Sequence, residues 1–97
     1  MPRTAVDEVP AGIEWSRITW RLAQVLRELA DGCSLGETAE RLGISYNGIR
    51  SDVGKLKDIT GLRSVRDIGR WWRDEGSIAW GLAMLEAAGV DPRNLAS

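Results

Sequence analysis

The chain has no histidine, no phenylalanine, a single cysteine and a single tyrosine among its 97 residues. Without histidine the commonest general base near neutral pH is missing. With Cys33 alone, neither an internal disulfide nor a usual metal site can be assembled. No run approaches the roughly 18 apolar residues of a membrane span. The first residues, MPRTAVDEVPAGIEW, lack the apolar stretch of a secretory signal. Carboxylates are present, but at helix-surface spacings without a cluster. These absences lead us to expect a cytoplasmic, non-enzymatic protein with no cofactor, no metal and no membrane segment. Its length suits one compact domain.

What the chain does have is an uneven charge. The formal net charge is −1. Yet residues 41–73 hold eight Lys and Arg against three Asp, an excess of +5, so the remainder sums to −6. A basic stretch inside an acidic chain suits a face that meets phosphates, and equally suits a solvated helix surface.

Apolar periodicity divides the chain into helices, and the fold class expected is all-α. Residues 1–14, with two prolines and no periodicity, read as a flexible arm. Ile18, Leu22, Val25, Leu26 and Leu29 share one helical face, with Ser16 or Thr19 as the cap and Asp31-Gly32 as the stop. Ser34 and Glu37 form a capping box, in which each side chain satisfies a backbone N–H of the other. Thr38, Ala39 and Leu42 then face inward until Gly43. Ser45 is placed to cap a further helix with Ile49, Val53 and Leu56 inside, and Asn47, Ser51, Lys55 and Asp58 outside. Gly61 ends it. Ser64 opens a helix that buries Val65, Ile68, Trp71 and Trp72, and Gly76-Ser77 is expected to break the chain. The last helix, from Ile78 to about Ala88, is apolar almost all round.

Two short helices joined by Leu42-Gly43-Ile44-Ser45 describe a helix-turn-helix. Ala39 permits close approach, Gly43 takes a positive φ, Ile44 plugs the turn, and Ser45 caps a helix suited to the major groove. With these elements in place, residues 18–73 resemble the LuxR-type (GerE-like) helix-turn-helix family of bacterial transcription regulators. The segments ITWRLAQVLRELADG, SLGETAERLGIS and NGIRSDVGKLKDITGLRSVRDI carry the likeness. Thr19, Arg21, Leu26, Gly32, Ser34, Glu37, Ala39, Leu42, Ile44, Ser45, Ile49, Arg50 and Val53 fall on matching positions. The chain departs from the pattern at Trp20 and Leu22, where Pro and Glu are usual, at Gly48 for Thr, and at Asp52 for His.

The resemblance implies a four-helix module over residues 15–75; beyond the resemblance, periodicity adds an extra apolar C-terminal helix and a tail over 76–97. The resemblance also implies sequence-specific binding of double-stranded DNA in bacterial or phage transcription control, with a recognition helix at about 46–58. By the same likeness Arg50 and Ser51 meet base edges, while Ser45, Asn47 and Lys55 lie near the backbone. Tyr46 either bonds a phosphate or covers the helix start. Asp52 must lie off the interface, pair with a base such as Lys55, or weaken binding. Gly48 and Gly54 either admit close backbone approach to DNA or mark a degenerate domain that binds a protein partner, such as a sigma factor or another regulator. An accessory phage DNA binder for recombination or packaging is a further alternative. Arg66, Arg70 and Arg73 read as a solvated stripe or as phosphate contacts.

Trp71 and Trp72 are expected in the core, and Cys33 as a small hydrophobe rather than a redox sensor. The uncovered apolar surface of the last helix suggests a homodimer with Trp80 and Met84 at the boundary. The alternative is that this helix folds back across Trp71 and Trp72. No regulatory domain is expected ahead of Ile18, so control would act through abundance, oligomeric state or a partner.

Overall fold

A computed structural model describes residues 12–89, so most of the expected N-terminal arm, and the tail from residue 90, lie outside the described residues. The described residues are all helical, without a strand. A 3-10 turn at Trp15–Arg17 leads into α1 (Trp20–Ala30), α2 (Leu35–Leu42), α3 (Tyr46–Thr60) and α4 (Val65–Trp71). A π-helical segment, Trp72–Gly76, then joins α4 to α5 (Ser77–Ala87).

The first three helices begin where the sequence supplies a cap. The Thr19 hydroxyl accepts from the Leu22 N–H at 3.2 Å, so Thr19 rather than Ser16 starts α1. Ile18 consequently precedes the helix, yet it is buried at its base. At α2 the Ser34 Oγ accepts from the Glu37 N–H, and the Ser34 N–H donates to the Glu37 carboxylate at 2.8 Å. Gly43 ends α2 at φ 66°, a left-handed conformation that costs a glycine little. The turn then folds Ile44 against the core, its N–H bonded to the Ala39 carbonyl. Ser45 caps α3 through the Gly48 N–H at 3.0 Å.

Helix α1 is the centre of the domain and touches α2, α3 and α4. It buries Leu22, Ala23, Val25, Leu26 and Leu29 against Ile49, Val53 and Leu56 of α3 and Ile68 of α4. Burying each large side chain contributes about 1.5–3 kcal/mol. The approach of α4 to α1 is close enough to exclude a side chain. A Cβ at Gly69 would stand 2.7 Å from the Leu29 carbonyl oxygen.

The expected break at Gly76-Ser77 does not occur. Both residues keep helical angles (φ −61° and −64°), and only the hydrogen-bond spacing widens across the π segment. Gly76 is buried, and the Trp71 indole occupies the place its Cβ would take, 2.9 Å away. Glycine is there to admit a ring, not to turn the chain. The rod therefore runs across positions 75 and 76, where the sequence reading divides a domain from its C-terminal extension.

The fold-back alternative for the last helix accounts for Trp80. Its indole N–H donates to the Ile18 carbonyl at 2.8 Å, and the ring packs on the core. All five tryptophans form one run of ring contacts: Trp15 on Trp71 at 6.1 Å, Trp71 on Trp72 at 6.0 Å, Trp72 on Trp80 at 5.9 Å, and Trp80 on Trp20 at 5.4 Å. No residue of α5 is fully buried. The most open apolar surface here is Trp20, Ile78 and Leu82 at 71, 68 and 45 % exposure, with Met84 half-buried beside them.

Candidate nucleic-acid interface

Helix α3 is amphipathic in the expected phase. Ile49, Val53 and Leu56 are buried, whereas Asn47, Arg50, Ser51 and Lys55 are exposed, and Tyr46 is 53 % exposed at the helix start. Ser45 holds the first turn. The six residues singled out from the sequence thus occupy the cap and the outward face of one helix. Among the described residues no ion pair engages Arg50 or Lys55.

Asp52 is not on that face. It is buried, and its Oδ2 accepts from the Arg21 Nε at 3.0 Å, so its partner is Arg21 of α1 and not Lys55. A carboxylate at 3 % exposure would be costly alone, and the guanidinium across the helix interface neutralises it. On the helical wheel Asp52 lies beside Leu56 at the edge of the apolar stripe, so the sequence alone left its side open and its burial comes from the packing of α1. Arg21 matches the family pattern by type, and that match alone does not point to Asp52.

Gly48 also serves the interior. A Cβ there would lie 2.8 Å from Ile44 Cγ2, 3.1 Å from Ser45 Oγ and 3.5 Å from an Arg21 terminal nitrogen. Its bareness lets the turn and Arg21 close on the first turn of α3. Gly54 meets nothing within 4 Å. Between α1 and α3 this packing leaves a cleft of about 410 Å³ whose polar walls are Arg17, Thr19, Arg21, Ser51, Asp52 and Lys55.

The basic stretch seen in the sequence does not form one surface. Arg66, Arg70 and Arg73 border a different cleft, beside Gly32 and Cys33 at the far end of α1. Arg70 lies 3.9 Å from Asp67, and Arg73 3.4 Å from Asp74. Arg41 is paired with Glu28, which holds its guanidinium pKa above the ordinary value. The Cys33 thiol lies 3.6 Å from the same carboxylate. Partial burial and then Glu28 push its pKa up, which disfavours the reactive thiolate.

The described residues contain no group of acidic, cysteine or histidine side chains suited to a metal ion, and no helix long and apolar enough to cross a membrane. Compared with known proteins, the chain matches no family model, no curated protein and no solved structure.

Proposed function

We propose that this chain binds double-stranded DNA sequence-specifically through α3, as a homodimeric transcription-control protein of bacterial or phage type. The observation that carries the reading is a rigidly capped helix whose polar face is fully presented. Ser45 fixes its start, the apolar side is held by α1, and Asn47, Arg50, Ser51 and Lys55 stand outward at helical spacing. A major groove about 12 Å wide admits such a helix, and an arginine there reads guanine through a two-pronged hydrogen bond. The burial of Asp52 supports the reading, because the carboxylate most awkward for a phosphate contact is withdrawn and paired.

The second copy is assigned to the α1–α5 face. Trp20, Ile78 and Leu82 are the exposed part of the lining of an open groove of about 800 Å³, which they share with Ile18, Trp80, Met84 and Leu85. An apolar patch gathered on one face can meet the same patch of a second copy across a two-fold axis. The only charge on α5 is Glu86, so a charged partner finds little to pair with. These three residues expose roughly 400 Å² per subunit, about 800 Å² for the pair, which is below the standard interface range and suited to a weak dimer reinforced by DNA.

Selection from randomised duplexes, followed by sequencing, tests both parts. The expected result is an enriched motif with two half-sites related by a two-fold axis. Absence of binding to every duplex at low salt would reject DNA recognition and favour a protein partner for the same helix.

A further inference from the structure

The Arg21–Asp52 pair does more than neutralise a buried carboxylate. Asp52 engages only Nε of the guanidinium, at 3.0 Å. The Asp52 side chain is 5 % exposed, whereas that of Arg21 is 52 % exposed. Arg21 therefore keeps its two terminal nitrogens for another acceptor, in a fork held from behind by a buried carboxylate. One terminal nitrogen lies 3.5 Å from the position of a Gly48 Cβ, which places the fork beside the first turn of α3. The cleft in front of it is also bordered by Ser51, which carries a hydroxyl, and by Lys55, which carries an ammonium. A planar cation held by its Nε, a hydroxyl and a second cation around one opening is a donor set for a tetrahedral oxyanion.

Resting on the DNA reading above, we infer that Arg21 is a backbone-phosphate anchor, with Asp52 as its positioning residue and Ser51 and Lys55 completing the contact. The phosphate sits where α1 meets α3, so it fixes how α3 enters the groove without reading sequence. Asp52, acidic and next to a phosphate site, strengthens binding because it orients the fork from the interior.

The test is anisotropy of the selected duplex against the intact chain, over a range of salt, with thermal melting to confirm that each variant is folded. The paired change Arg21→Gln/Asp52→Asn keeps a neutral hydrogen bond and leaves no buried charge. It should weaken selected and unrelated duplexes alike, by about tenfold near physiological salt. It should also reduce the log K against log salt slope by about 0.9 per subunit. Asp52→Asn alone removes a negative charge. Weaker binding of the selected duplex supports a positioning role, and tighter binding overturns it. A folded double variant with the wild-type slope and affinity overturns the anchor while DNA recognition stands. A wild type that binds no duplex defeats DNA recognition itself and the anchor with it.

Discussion

Residues 34–60 and residues 65–87 are built by different rules. In the first stretch, α2 and α3 each start at a serine cap and stop at a left-handed glycine, and the turn between them is closed by local hydrogen bonds. In the second, only α4 has a side-chain cap, no turn interrupts the rod, and α5 ends without one fully buried residue. The first stretch is specified by near neighbours in sequence. The second is specified by what packs against it, chiefly indole rings and the backbone of α1. The locally written pair of helices leaves the outward side of α3 exposed, whereas the rod placed by contacts leaves Ile78 and Leu82 of α5 open to solvent.

The largest expected effect lies in the contact-placed half. Gly69→Ala sets a methyl group against the backbone of Leu29, which cannot yield as a side chain would. A loss of about 3 kcal/mol in denaturant unfolding is expected, at the upper end for overpacking. Stability equal to wild type would show that α4 does not depend on close approach to α1.

Leu82→Asp comes next and probes the open side of the same rod. Sedimentation at tens of micromolar should turn a dimer into a monomer whose own melting temperature is little changed, since Leu82 is 45 % exposed. A wild type already monomeric there, or a variant that stays dimeric, would remove the α5 face from the interface.

In the locally specified half, Ser34→Ala should cost about 1 kcal/mol, the usual value of a lost N-cap. This loss should depend on pH. The Ser34 N–H, then its hydroxyl, hold the Glu37 pKa below the ordinary glutamate range. A depressed folded value stabilises the protein above the unfolded pKa and is lost as pH falls through the folded one. The gap between wild type and variant should therefore narrow in acid without closing, because the variant keeps the backbone N–H and the Glu37 N–H cap does not titrate. A constant gap would mean that the Ser34 hydroxyl does not help to hold the Glu37 carboxylate. The smallest change is Gly54→Ala. Its Cβ would meet open space, so thermal unfolding should show a gain of about 0.5–1 kcal/mol. A loss would point to a constraint on α3 that its contacts do not reveal.

The same contrast explains what could be read from sequence. Thr19, Ser34, Ser45 and Gly43 act within a few residues of themselves, and their capping and turning roles follow from type and spacing. The buried set Ile49, Val53 and Leu56 follows from helical period. The partner of Asp52 does not, because it lies 31 residues away on another helix. Gly76 shows the reverse error. A glycine beside a serine suggests a turn, but here the missing side chain makes room for Trp71. Trp80 is ambiguous on an all-apolar helix until the carbonyl that accepts its N–H is located. The exposure of Asn47, Arg50, Ser51 and Lys55 was legible, and the division of the basic residues between two ends of α1 was not.

The run of five indoles gives the molecule an unequal optical sensitivity. Neighbouring rings 5.4–6.1 Å apart exchange excitation faster than they emit, so the five fluoresce as one coupled unit. One end of that unit is Trp20, open to solvent on the α1–α5 face. Helix α3 contains no tryptophan, and its aromatic residue is Tyr46. Intrinsic emission will thus respond to anything that covers the α1–α5 face and be nearly blind to anything that covers the outward face of α3. The coupled indoles also absorb in the far ultraviolet, so circular dichroism of this all-helical chain will carry an aromatic component superimposed on its helix bands.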